Sequence, residues 1–144
     1  MLTGDEIKKQ VKKGGIVIMP FDEARLNPNS YNLRLTPQLK VYKKTYPLHE
    51  WWERTYREQS HLPLWRTMPL LEPLDMAVEE EAVDLFIPQE GLCLYPGVMY
   101  LGCTEEYTET HGFVPRLDGR SSVGRLGMCI HLTAAFGDIG FRGH

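Results

Sequence analysis

Two arginines five positions apart, Arg120 and Arg125, enclose a pair of adjacent hydroxyls, Ser121 and Ser122, in a stretch punctuated by Gly119, Gly124 and Gly127. Such residues suit an anion. Glycine lets the backbone turn tightly and approach a ligand closely, serine hydroxyls donate to phosphate oxygens, and guanidinium groups add charge-assisted donors. A helical turn opening at Ser122 would aim its free amides the same way. Glycine, serine and arginine are equally the stock of ordinary turns, so composition alone also fits a surface loop with a short helix. His131 is a candidate base, yet its place between Ile130 and Leu132 reads first as a packed histidine.

Other chemistries find little support. The chain has neither GxxxxGK[ST] nor a GxGxxG after a strand, which sets aside P-loop kinases and dinucleotide oxidoreductases. Ser121 stands in no GxSxG elbow, so a nucleophilic serine is not indicated. His49, His61, His111 and His144 share no ligand spacing, and the HxE and PCxxC pair of zinc deaminases is absent, so no metal ligands are assigned and no zinc is expected. With 16 basic and 19 acidic side chains and a net charge of -3, the chain is not a polycationic nucleic-acid binder. No apolar run approaches the roughly 20 residues that cross a bilayer, so neither nucleic acid nor membrane is an expected partner. Cys93, Cys103 and Cys129 form no CxxC pair, which fits buried free thiols in a reducing cytoplasm.

The elements that must position the loop follow a β rhythm. At 144 residues the chain can bury one core. Thr3 and Glu6 form a capping box ahead of Ile7 and Val11, and Gly14-Gly15 stop the turn, which predicts a helix over about residues 4–13. From there, apolar bursts at 16–19, 31–35, 39–42, 83–87, 91–95 and 98–103 alternate with Pro, Gly and Asn, and predict short strands of an all-β barrel or sandwich. Residues 43–80 interrupt that rhythm with Trp51, Trp52, Tyr56 and Trp65. Within them 49–60 can make a turn or two of amphipathic helix, and the aromatics read as packing, with a stacked nucleobase on Trp51 or Trp52 as the sharper alternative. Glu79, Glu80 and Glu81 read as a solvated turn, with a cation site as the alternative.

At the loop the residues become recognisable. The run Asp118-Gly119-Arg120-Ser121-Ser122-Val123-Gly124-Arg125-Leu126-Gly127, then Ile130-His131-Leu132-Thr133-Ala134 and Asp138-Ile139-Gly140-Phe141-Arg142-Gly143, closely resembles the dCTP deaminase branch of the dUTPase-like superfamily. Asn27-Pro28-Asn29-Ser30-Tyr31-Asn32-Leu33-Arg34-Leu35 is similar to that branch's early strand motif. Leu94-Tyr95-Pro96-Gly97 is similar to its strand before the loop. The resemblance spans the chain outside 43–80.

The resemblance implies a distorted β-barrel with a short N-terminal helix and an irregular insert, residues 1–144 forming a single domain. It also implies a homotrimer with sites built between subunits, and Mg2+ bound with the nucleotide triphosphate. By position, Arg120, Ser121 and Ser122 would hold the triphosphate, His131, Thr133 and Ala134 would meet the base, and Asp138 would stand at its sugar and base end. Arg125, with Ser121 and Ala134, falls on the catalytic side. The implied activity is zinc-independent deamination of dCTP to dUTP and ammonia in pyrimidine deoxynucleotide metabolism, toward dUMP and dTTP, with dTTP as an inhibitor. A dUTPase, a bifunctional form, or a nucleotide-binding module without turnover are the alternatives. His131-Leu132-Thr133-Ala134 favours the deaminase.

Two departures stand out. The branch's general acid/base is a glutamate about ten residues past the Asp138 position, beyond His144, which reads as a C-terminal truncation, with a shortened relative that binds without turnover as the alternative. Asn32 stands where many relatives carry Asp.

Overall fold

The computed structural model of the chain describes residues 1–58, 69, 71–131 and 133–144. They form two compact units, one of residues 1–34 with 104–144 and the other of residues 35–103.

The first unit opens with α1 (Gly4–Lys13), as the sequence predicts. Thr3 Oγ1 accepts the Glu6 amide, but the Glu6 carboxylate turns to Gln10 Nε2 at 2.9 Å, so only half of the expected capping box forms. Gly14, at φ 77°, ends the helix in the left-handed conformation that glycine adopts without penalty. Gly4 donates to the Pro28 carbonyl at 2.9 Å, which seats the first turn of α1 on the hairpin of β2 (Leu26–Asn27) and β3 (Ser30–Tyr31). The expected strand at 31–35 is divided between this hairpin and the next element. Asn32 donates its amide to the Arg25 carbonyl.

β1 (Ile16–Met19) pairs antiparallel with β7 (Tyr107–Thr110), Ile18 opposite Thr108, and β7 pairs in turn with β8 (Arg142–Gly143). β7 is missing from the predicted strands because its Tyr-Thr-Glu-Thr run carries no apolar burst. Ile18, Thr110 and Glu106 are buried here.

In the second unit β4 (Leu35–Tyr42) lies between β5 (Ala82–Phe86) and β6 (Tyr100–Thr104), whose last residue belongs to the first unit. Alternation along β4 sends Leu39 and Val41 inward beside Leu85 and Val83 of β5, and Lys40 outward beside Asp84. A Cβ on Gly102 would stand 2.6 Å from Leu35 Cδ1 and 2.9 Å from Leu39 Cδ2, so glycine lets β6 close on that face. Helix α2 (Tyr46–Glu58) fills part of the 43–80 stretch and is longer than expected. His49, Leu48 and Trp51 are buried. Trp52 lies parallel to Tyr95 and its Nε1 donates to the Pro96 carbonyl, so these tryptophans pack, and a nucleobase on Trp51 is ruled out by its burial. Ser60, His61 and Trp65 lie outside the described residues.

Three further expectations are corrected. Residues 91–95 form no strand, because Gly91 at φ 98° turns the chain and donates to Pro88. Cys93, Cys103 and Cys129 are exposed, not buried, since they lie on loops and an outward-facing strand position. Glu79 and Glu81 are exposed, Glu81 pairing with Lys43 at 2.7 Å in the open, but the Glu80 side chain is largely covered and ion-paired with Lys44 at 2.7 Å, so the run is not solvated throughout. The strands belong to separate small sheets, mostly antiparallel β with few helices, and no closed barrel is found among the described residues. Among the described residues no helix is long and apolar enough to cross a membrane.

Candidate functional site

The glycine-serine-arginine loop is closed at its base like a hairpin. Arg116 and Phe136 form an antiparallel bridge, Leu117 donates to the Ala135 carbonyl at 2.8 Å, and Gly137 donates to Pro115 at 2.9 Å. A Cβ on Gly137 would stand 2.9 Å from Pro115 Cγ, so a glycine is needed where the arms close. Higher up, Ile130 packs against Gly119. The two predicted blocks, one carrying the serine pair and the other Thr133-Ala134, are therefore the two arms of one loop.

On the first arm, Ser121–Gly124 forms the single-turn helix α3, one residue earlier than the turn expected to open at Ser122. Arg120 precedes it with extended backbone, and its carbonyl accepts from Val123 and Gly124, each at 3.0 Å. Arg125 ends the turn, donating its amide to the Ser121 carbonyl at 3.0 Å. Arg120, Ser121, Ser122 and Arg125 are all exposed, and none of their side chains has a hydrogen-bond or ion-pair partner among the described residues. The turn thus presents two cations and two hydroxyls whose donors are not consumed by the fold, the combination a multiply charged anion needs.

On the second arm His131 departs from the expectation of a packed residue. It is exposed, adopts the left-handed φ of 48°, and its Nδ1 lies 3.0 Å from the Ala134 carbonyl. A carbonyl only accepts, so Nδ1–H is the donor, and a neutral ring keeps Nε2 as an exposed acceptor. The bond ties the left-handed residue to the start of the returning arm. Thr133 and Ala134 are exposed beside it, and Leu132 lies outside the described residues.

Asp138 follows the base of the loop. Its carbonyl accepts from Phe141 at 3.1 Å, and Gly140 at φ 84° supplies the positive φ of that turn before β8 begins. Asp138 is exposed. Sequence reasoning missed the role of Arg116, whose Nη2 holds Asp118 Oδ2 at 2.7 Å. Asp118 is therefore paired with Arg116 and not with Arg125. A basic and an acidic residue separated by one position, Arg116 and Asp118, were the available signal.

An exposed apolar surface accompanies the loop, with Leu126, Phe136 and Ile139 each more than two-thirds exposed. Among the described residues no group of three or more His, Cys, Asp or Glu gathers as for a metal ion.

Comparison with known proteins shows what the loop belongs to. The whole chain, residues 1–144, matches the family model described as dCTP deaminase-like. A protein of Clostridium botulinum (strain Eklund 17B / Type B) named "dCTP deaminase, dUMP-forming" is 46% identical over 144 residues, 100% of this chain and 67% of the relative. Proteins of the same name from Leptospira biflexa serovar Patoc (strain Patoc 1 / Ames) and Cytophaga hutchinsonii are 47% and 46% identical over 143 residues, 99% of this chain and 66% of each relative. The chain spans about two-thirds of the length of the curated relatives it matches.

Proposed function

The chain belongs to the dCTP deaminase-like family, and we propose that it carries the nucleotide-holding part of a dCTP deaminase that forms dUMP. The resemblance alone gave dUTP as the product. The names of the relatives move the reading to the bifunctional form, in which dCTP and two waters yield dUMP, ammonia and pyrophosphate. The observation that carries it is the turn at Arg120–Arg125, whose two guanidinium groups and two hydroxyls stand exposed and unpaired among the described residues.

In this reading Arg120, Ser121 and Ser122 hold the triphosphate, which enters with Mg2+ bound to its phosphate oxygens and to water. Thr133, Ala134 and the exposed Nε2 of His131 meet the base, and Asp138 meets the sugar. Arg125, Ser121 and Ala134 order the water that adds to the ring carbon bearing the amino group, which leaves as ammonia. A second water then cleaves between the α- and β-phosphates. No zinc takes part. The assembly is a homotrimer, for which the exposed Leu126, Phe136 and Ile139 supply apolar contact area, and in it the separate sheets belong to a dUTPase-like barrel. The substrate pool makes it a cytoplasmic protein, with dTTP as a competing ligand.

Incubation of a form extended to the full length of the relatives with Mg·dCTP, following ammonia, dUTP, dUMP and pyrophosphate, tests the reaction. Ammonia with dUMP and pyrophosphate is expected. Ammonia with accumulating dUTP would overturn the dUMP-forming step, and pyrophosphate from dUTP with no ammonia from dCTP would make the protein a dUTPase. Calorimetric binding of Mg·dCTP with no product would leave a nucleotide-binding module. Light scattering that gives a monomer with full affinity would remove the trimer.

A further inference from the structure

Arg116 makes contacts in two directions at the base of the nucleotide loop. Toward the first arm, its Nη2 lies 2.7 Å from Asp118 Oδ2, while Asp118 Oδ1 accepts the Gly119 amide at 2.9 Å. Both oxygens of this carboxylate are therefore engaged, one by the guanidinium and one by the backbone that leads into Arg120. Toward the second arm, the guanidinium carbon stands over the Phe136 ring, 5.5 Å from its centroid, and Phe136 is also the backbone partner of Arg116 in the bridge. Asp118 stands two residues before Arg120, and Phe136 two residues after Ala134. One planar cation thus touches each arm at the same distance along the chain from its exposed end.

We propose that Arg116 is a positioning residue for the nucleotide site, its guanidinium clamping Asp118 on one arm and Phe136 on the other so that the serine-pair turn and the Thr133-Ala134 segment keep one spacing. The inference rests on the reading that this loop holds the nucleotide. The side chains of Arg116 and Asp118 are 52% and 61% exposed, and an ion pair that open to water adds little to folding stability. Its effect is on geometry: the carboxylate has one orientation available, and with it the peptide entering Arg120. Lysine would keep the charge opposite Asp118 but lose the flat face over Phe136, so the two contacts are separable.

The test uses Arg116→Met, Arg116→Lys, Phe136→Leu and Asp118→Asn in the full chain, with amide hydrogen exchange and Mg·dCTP calorimetry. Exchange reads the clamp without nucleotide. In Arg116→Met, Leu117, Gly119 and Gly137 are expected to exchange about tenfold faster, with the melting midpoint moved by no more than about 2 °C, as befits an exposed pair. Mg·dCTP affinity is expected to fall about tenfold, the scale of a small misplacement of binding groups. Arg116→Lys and Phe136→Leu should each give part of the effect, and Arg116→Met combined with Asp118→Asn should be no worse than Arg116→Met alone. Unchanged exchange in Arg116→Met would overturn the clamp. So would full rescue by Arg116→Lys together with a silent Phe136→Leu, which is the pattern of a direct phosphate contact. Faster exchange in a chain whose parent does not bind Mg·dCTP would keep the clamp and sink the nucleotide reading instead.

Discussion

Arg34 holds Glu106 twice. Its backbone amide donates to Oε2 and its Nε to Oε1, both at 2.8 Å, while Nε also meets Glu105 at 2.8 Å. Glu106 is completely buried, just before β7, and Arg34 is the next-to-last residue of the Asn27–Leu35 run. Burial pushes the Glu106 carboxyl up, but the Arg34 amide and guanidinium outweigh it and hold the group below the ordinary carboxylate range. The unfolded chain therefore takes up this proton first as pH falls. The stabilisation is intact above about pH 4.3 and is lost as pH drops through the lower folded value. Glu106→Gln should cost about 1.5 to 3 kcal/mol at neutral pH, the range for hydrogen bonds to a charged group, and should flatten the acid side of the stability profile. Urea unfolding measured at several pH values checks both.

The aromatic cluster beneath α2 depends on one hydroxyl. Tyr100 Oη accepts the Tyr95 amide at 3.1 Å and lies 2.9 Å from His49 Nδ1, with His49 buried. Desolvation raises the Tyr100 phenol, opposed by the Tyr95 amide, and desolvation raises Tyr95 as well. Both should stay neutral when exposed tyrosines ionise, so their contribution holds below about pH 10 and fades as pH rises further. Tyr100→Phe should cost about 1 to 3 kcal/mol by leaving buried polar partners unmatched. Ultraviolet titration of native and urea-unfolded protein, with melting of the variant, tests this.

Gly4 and Gly124 should respond oppositely to alanine. A Cβ at Gly4 would overlap the Asn27 carbonyl oxygen, which backbone cannot yield, whereas Gly124 is helical with nothing within 4 Å of the added atom. Gly4→Ala should destabilise by about 1 to 3 kcal/mol. Gly124→Ala should be neutral or stabilise by up to about 1 kcal/mol, yet weaken Mg·dCTP binding if the ligand approaches this backbone. Chemical denaturation beside calorimetry separates the two effects.

The two exposed arginines of the turn should also separate. Arg120→Ala should weaken Mg·dCTP by about 1.5 to 3 kcal/mol, and the loss should shrink at high salt. Arg125→Ala, in a protein that turns over, should lower kcat while largely sparing affinity. A large fall in melting temperature with activity per folded molecule unchanged would remove Arg125 from the catalytic side.

The sequence was legible where a local rule acts alone. Thr3, Gly14 and the 3.6-residue spacing of α1 need no distant partner, and neither does the alternation of β4. The serine-arginine turn was legible because glycine spacing and donor chemistry coincide there. β7 was hidden because its Glu106 neighbour is buried only through Arg34, far away in the chain, and no pattern of hydrophobicity marks a buried carboxylate. His131 misled for a related reason: apolar flanks suggested burial, while its left-handed backbone and its bond to Ala134 turn it outward.

The pairing of β1 with β7 sets an order on synthesis. Ile16–Met19 leaves the ribosome early, but its partner Tyr107–Thr110 emerges only after the whole of residues 35–103 has been made. At about 5 to 20 residues per second, β1 spends several seconds as an unpaired apolar strand. The second unit is continuous in sequence and free to collapse meanwhile, while β1 waits for its partner strand.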